Sequence, residues 1–329
     1  MNRHRVLWTI ALLTAPLVSA CGPDTPPVEV DVPSGASFTE VVDTLSSRGI
    51  VGSPALFTVY ARLRGADREI RSGRYHLSPG SSWNRVLSVL TRGEVVTAPL
   101  TVPEGFRLTQ IAPRVADVAG IPGDSVLAYL TQPEVVDELE VPGPTLEGYL
   151  FPDTYRFAGG TRVSTVVRTM VDRYRDVWTP ERRARLAEIG WSERELMTLA
   201  SIIQAEARQV DEMPLISGVY HRRLDLGWRL QADPTVLYAL GGPRDRLLFA
   251  AIDSVADSPY NTYTQGGLPP GPIGAPGELA IDAALAPKGD YLYFVARPDG
   301  SHVFTRSLAE HNRAVAESRR LRDLDSGRR

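Results

Sequence analysis

The stretch LASIIQAEAR at residues 199–208 reads as a helix with an apolar face, and it places a carboxylate on that face. At 100° per residue, Glu206 falls within roughly 20° of Leu199 and about 60° from Ile203. Gln204 lies about 140° round from Leu199. Leu196, Leu199 and Ile203 mark the side that a core should cover, so Glu206 is aimed at an interior or at a cleft wall. A carboxyl in apolar surroundings has a raised pKa. Held neutral near pH 7, it can donate a proton to a leaving oxygen, as glycosidases require. The competing reading is a paired core acid. Arg222 and Arg223 lie on the next helical segment, LISGVYHRRL, and either could neutralise it.

Other chemistries are absent from the sequence. Lys288 is the only lysine among 36 basic residues, so motifs with a fixed lysine, such as the phosphate-binding loop, are excluded. There is no H-E-x-x-H, no Cys/His ligand spacing and no G-x-S-x-G elbow, so neither a metal nor a cofactor is expected. His221, His302 and His311 read as surface or satisfied core residues. A net charge of -3 with no basic stripe argues against nucleic acid as a partner.

These residues must be positioned by a chain of 329 residues, 43% of them apolar, which is enough for two domains. Arg3 and Arg5 precede an uncharged, mostly apolar run at residues 6–20, and VSAC ends it at Cys21, the single cysteine. This is export-signal chemistry. VSAC is similar to a bacterial lipobox, whose cysteine is lipidated, while an uncleaved spanning anchor is the alternative. Either way the body is expected to be membrane-tethered, in the periplasm or otherwise outside the cytoplasmic membrane. With one cysteine no internal disulfide can form.

Three weakly similar strand-turn-helix units follow a Pro-rich linker. Their turns fall at Gly35, Gly80 and Gly105, with Ser37, Ser82 and Leu108-Thr109 just beyond. LEGYLFPDTYRF reads as a strand or wall segment. Ser192 with Glu195 predicts a capping box for the helix carrying Glu206, and Ser307 with Glu310 a second one for a final helix over residues 308–321. YLYFV and SHVFT, joined by RPDG turn chemistry, predict a β-hairpin. The expected fold class is α+β. Residues 1–21 form the signal or anchor and 22–27 a linker. Residues 28–97 form a small α+β module and 98–145 a connecting α/β segment. Residues 146–322 form a mixed α/β domain with the glutamate helix and the hairpin plus helix, and 323–329 a frayed tail.

Several long motifs resemble the YceG-like family of endolytic murein transglycosylases. They are LEGYLFPDTY, the run from LASIIQAEAR through RLQADPTVLYALG, SPYNTYTQGGLPPGPIGAPGELAIDAAL, and YLYFVARPDGSHVFTRSLAEHN. The resemblance implies a LysM-like N-terminal module and a catalytic domain. The implied reaction cleaves nascent peptidoglycan strands internally, at the MurNAc-GlcNAc β-1,4 bond, and leaves 1,6-anhydro-MurNAc ends. It implies a role in cell wall elongation and glycan chain termination, with peptidoglycan strands as substrate and peptidoglycan synthases as candidate partners. The family's catalytic acid, the second of its E-x-E segment, falls on Glu206. Gln204 replaces the first acid and Ala205 the usual lysine.

On this resemblance Glu206 would serve as both acid and base. Gln231, Asp233, Asn261, Thr262 and Tyr263 would hydrogen-bond the sugars. Tyr149, with Phe151 and Tyr155, would offer ring faces, and Glu147 is a lesser candidate beside Asp153. Each has a plainer reading: Asp233-Pro234 as a helix start, YNTY as a loop anchor, the aromatics as core. GGLPPGPIGAPG at residues 266–277 could form a cleft rim. A glycan-binding lipoprotein scaffold without chemistry is the rival from another class, and an ordinary muramidase a rival within enzymes.

Overall fold

A computed structural model describes residues 26–244 and 247–326. Cys21, with the rest of the expected signal, lies outside the described residues. Among the described residues no helix is long and apolar enough to cross a membrane. The chain forms two compact units that part between Val96 and Thr97.

In the first unit the strands Val28–Val32 and Gly73–Leu77 pair antiparallel, with Val30 opposite Tyr75. Each leads through a tight turn into a helix. Gly35 and Gly80 sit at φ 83° and 82°, where a side chain would be strained. Ser37 closes a capping box with Glu40 at the start of the helix Phe38–Ser47. Ser82 accepts from the Arg85 amide at the start of the helix Trp83–Arg92. A third helix, Pro54–Leu63, buries Phe57 and Ala61 against Leu45, Tyr75 and Leu90.

The third strand-turn-helix belongs to the second unit. Its turn is as expected, with Gly105 at φ 76°. Its strand Thr97–Thr101, however, pairs antiparallel with Thr154–Ala158 rather than with the first sheet. The helix Leu108–Ala119 is not capped by Thr109. The Arg107 amide donates to Gln110 Oε1 at 3.0 Å, and the Leu108 amide donates to Glu147 at 3.1 Å. A buried core joins these elements to Leu146, Leu150 and the helix Val163–Val177. Strand pairing and core therefore run across residue 146, where the sequence reading placed a boundary.

A second core gathers around the helix Glu193–Glu206. Against it pack Met213–Asp225 and Glu278–Leu285, with Phe294 and Phe304 of the hairpin Tyr293–Ala296/His302–Thr305 at the margin. The last helix, Leu308–Ser326, runs beyond residue 321, through part of the expected tail. Ser307 and Glu310 cap it reciprocally, as their spacing predicts. The architecture is mixed α+β, with helices around small antiparallel sheets.

Candidate active site

Glu206 is the last residue of its helix. The Ser192–Glu195 capping box starts that helix, and Leu196, Leu199 and Ile203 are fully buried beneath it. Ala207 turns to extended backbone at φ -71°, ψ 125°, which ends the helix and leaves Glu206 half-buried at the wall of a cleft of about 570 Å³. The Tyr220 hydroxyl, from the helix Met213–Asp225, donates to Glu206 Oε1 at 2.9 Å. Loss of water around the carboxyl pushes its pKa up to about 7. The Tyr220 hydrogen bond opposes this, nearby Asp233 adds to it, and Arg223 opposes it. Tyr220 is itself buried and its pKa is raised, chiefly by burial and then by Glu206, so it stays a phenol that can donate.

The paired-acid reading fails on geometry. Arg223 points its guanidinium at backbone, donating to the Leu292 carbonyl at 2.9 Å and the Leu230 carbonyl at 2.5 Å. Arg222 is not on the cleft wall. Among the described residues no ion pair reaches Glu206.

Three of the sequence-expected sugar-binding residues join Glu206 in the cleft: Gln231, Asp233 and Tyr263. Tyr263 donates its hydroxyl to Asp233 Oδ1 at 2.5 Å, so the two act as one polar unit. Gln231 adopts φ 51°, a left-handed conformation that costs a side-chain-bearing residue about 1 kcal/mol or more. The backbone around it is overdetermined. The Gln231 amide donates to the Thr262 carbonyl at 3.1 Å, and the Ala232 amide to Thr262 Oγ1 at 2.9 Å. Thr235 and Thr262 hydroxyls meet at 2.8 Å.

The other expected residues hold the site without lining it. Thr262 is buried as that anchor. Asn261 is fully buried, its amide nitrogen donating to the Ile252 and Val255 carbonyls at 2.9 and 3.1 Å and its oxygen accepting from the Tyr263 amide at 3.0 Å. Sugar-binding chemistry and loop-anchoring chemistry use the same groups, so type alone could not separate them. Glu147 is buried away from the cleft. It accepts from the Leu108 amide, and burial pushes its pKa up to about 7, against the pull of that amide, Arg107 and Tyr238. Tyr149 is core, edge-on to Tyr174 with ring centroids 5.1 Å apart, and Phe151 and Tyr155 are buried with it. The segment is apolar because it crosses between the two cores of this unit, not because it faces a ligand.

The sequence reading missed most of the opposite wall. Tyr293, Phe294, Val295 and Ala296 come from the hairpin, and Leu308, His311, Val315 and Arg319 from the last helix. The spacing 308, 311, 315, 319 is a helical stripe and was readable as one face. Two histidines set aside as bland lie here. His302 contacts Glu212 Oε2 through Nδ1 at 2.7 Å, and His311 stacks on Tyr293 at 5.2 Å. Burial, then Arg223, pushes the His311 pKa down. Among the described residues no cluster of three or more His, Cys, Asp or Glu could hold a metal.

Gln204 faces away from the cleft and accepts from the Gly277 amide at 3.0 Å. The Pro/Gly loop is pinned on that side too, with the Ile273 amide donating to Ser201 Oγ at 3.0 Å. The loop thus braces the glutamate helix and does not rim this cleft.

Residues 30–317 match the sequence profile of the YceG-like family. An endolytic murein transglycosylase of Bacillus subtilis (strain 168) is 35% identical over 304 residues, covering 87% of this chain and 83% of that protein. One of Streptococcus pneumoniae serotype 2 (strain D39) is 30% identical over 321 residues, covering 88% of this chain and 58% of that one. The crystal structure of a yceG-like protein from Listeria monocytogenes superposes with a TM-score of 0.61 at 32% identity, covering 87% of this chain and 98% of that one.

Proposed function

We infer, from the premise that this chain belongs to the YceG-like family, that it is an endolytic murein transglycosylase with Glu206 as its single acid and base. The observation that carries this reading is the half-buried Glu206 carboxyl, outside any ion pair among the described residues and open to a cleft of about 570 Å³, where burial pushes its pKa up to about 7.

At neutral pH a large fraction of Glu206 is protonated, and it donates that proton to the glycosidic oxygen between MurNAc and GlcNAc. The bond to the muramyl anomeric carbon breaks with oxocarbenium-like charge. The resulting carboxylate takes the proton of the muramyl 6-hydroxyl as that oxygen attacks the same carbon. A 1,6-anhydro ring forms, the glucosamine end leaves with its hydroxyl restored, and no water is consumed. Tyr220 occupies Oε1 and so leaves Oε2 for both transfers. Asp233, with Tyr263 bonded to it, and the rigidly held Gln231 face the sugar hydroxyls and acetamides. This differs from the two-carboxylate arrangement of most glycosidases.

The first unit acts as a LysM-like glycan-binding module, and residues 1–21 tether the protein to a membrane through lipid on Cys21. Peptidoglycan synthases making nascent strands are its partners, and cleavage ends their products during wall elongation.

Purified protein incubated with glycan strands should yield anhydro-muramyl ends by mass spectrometry, without oxygen from labelled water. Labelled reducing ends would mean a muramidase. Binding without any new ends would leave only a scaffold. Cys21→Ala should abolish lipid labelling of the full chain.

A further inference from the structure

One buried pair beside the cleft takes no part in the proton transfers of Glu206. It joins His302, the first residue of the returning hairpin strand, to Glu212, which ends the turn Val210–Glu212 just past the glutamate helix. Their side chains are only 4% and 12% exposed. His302 nevertheless lines the same cleft as Glu206.

A single carboxylate grips the histidine at two points. The His302 amide donates to Glu212 Oε1 at 2.9 Å, and Nδ1 meets Oε2 at 2.7 Å. A carboxylate only accepts, so Nδ1 carries a proton, and in the neutral ring Nε2 is left with the lone pair. Phe294 stands edge-on to the ring, with centroids 5.3 Å apart. Phe294 in turn packs edge-on against Tyr220, the donor to Glu206. The hairpin turn is seated on the chain that leaves Glu206. Gly300, at φ 85°, lies so close to Arg208 that a Cβ there would come within 3.3 Å of Arg208 Cδ. The fold thus fixes both the orientation of the His302 ring and its tautomer.

The other ring nitrogen is left free. Nε2 makes no hydrogen bond to any described residue, yet it is not sealed from water, unlike His311 Nδ1 on the same wall. The tie to Glu212 accounts for Nδ1 and for the backbone amide, and gives Nε2 nothing to do. A ring whose Nδ1–H is held by a carboxylate and whose Nε2 opens on a pocket is an oriented acceptor. A glycan brings its complement into this cleft, as hydroxyl and acetamide N–H donors.

We propose that His302 Nε2 accepts a hydrogen bond from a hydroxyl or acetamide N–H of the bound glycan, and that Glu212 is the positioning residue that sets the polarity of this contact. The proposal rests on the reading of the cleft as a glycan site. It gives the hairpin wall a polar contact with the sugar besides those of Gln231, Asp233 and Tyr263.

The full chain carrying Glu206→Gln, expected to hold glycan without cutting it, is titrated calorimetrically with soluble GlcNAc–MurNAc strands. His302→Asn keeps an N–H where Nδ1 stood, so the bond to Glu212 survives and only the cleft nitrogen is lost. Kd should rise about 3–10-fold, the scale of one neutral hydrogen bond. With Glu206 restored, KM should rise by the same factor and kcat change by less than about twofold. Glu212→Gln is the second variant. Its amide oxygen must stay on the His302 N–H, which can only donate, so its amide nitrogen faces Nδ1. The ring proton then moves to Nε2, and the cleft atom turns from acceptor to donor. Long-range ¹H–¹⁵N spectra of the histidine rings, assigned by the signal lost in His302→Asn, should show the proton on Nδ1 in the parent and on Nε2 in Glu212→Gln. The same loss of affinity should accompany it, with an unchanged circular dichroism spectrum. Unchanged affinity in His302→Asn overturns the proposal, and so does a parent ring protonated on Nε2 alone. Should His302→Asn not fold, unchanged affinity in Glu212→Gln overturns it instead. Failure of the transglycosylase reading is seen separately, as glycan that the parent binds but cuts to no anhydro-muramyl ends.

Discussion

The Tyr220 hydroxyl donates to Glu206 Oε1 at 2.9 Å across two neighbouring helices, and this bond orients the carboxyl and partly offsets the burial that raises its pKa. A phenol donating to a carboxylate stabilises the charged form, so it works against the burial that raises the pKa. Replacing Tyr220 by Phe should therefore raise the Glu206 pKa further. The alkaline limb of the pH–rate profile should move up by about one unit, while turnover falls because the carboxyl is no longer held in place. A limb that does not move would separate Tyr220 from the acid.

Glu206→Gln should lower cleavage by about 10²–10⁴-fold with the fold retained. It should also change stability in a defined direction. The folded-state pKa of about 7 lies above the reference value of 4.5, so the folded state binds the proton more tightly. The carboxyl's unfavourable contribution is absent below pH 4.5, grows as pH rises between the two values and is complete above 7. The glutamine variant should be more stable than the parent at pH 8, by about 1–2 kcal/mol after discounting for water in the cleft, and nearly equal at pH 4. Thermal melts at the two pH values check the sign.

Glu147 has the same raised pKa but another task, accepting from the Leu108 amide at a helix start. Glu147→Gln keeps an acceptor there and should be stable, with the alkaline limb of activity in place. Glu147→Ala should cost about 1–3 kcal/mol by leaving that amide unpaired. If Glu147→Gln moves the limb, Glu206 is not the titrating acid.

Asn261 touches nothing in the cleft, yet its three hydrogen bonds hold the loop that carries Tyr263. Asn261→Ala should cost about 2–4 kcal/mol in chemical denaturation and raise KM through displaced Tyr263. Tyr263→Phe should raise KM with little loss of stability, since it removes only the bond to the exposed Asp233.

Much of the fold was legible locally. The inward angle of Glu206, both capping boxes, the C-terminal hairpin and the glycine turns follow from spacing and side-chain chemistry within a few residues. The partner of the third strand was not legible, because residues 97–101 and 154–158 are far apart in sequence and any edge with matching alternation would serve. The role of Asn261 stayed between sugar contact and loop anchor for a related reason, since a polar group that binds a sugar and one that satisfies a carbonyl look alike until burial is known.

By itself the sequence determined that a carboxylate stands on the apolar face of a helix, which motifs surround it, and that a single cysteine leaves the fold without an internal disulfide. Those properties are set by periodicity, composition and neighbours in the chain. Only the tertiary structure decided what Glu206 meets: Tyr220 and an open cleft, with Arg223 turned to backbone carbonyls. Acidity depends on lost water and on charges within a few ångströms, and those distances arise when helices far apart in the chain pack together.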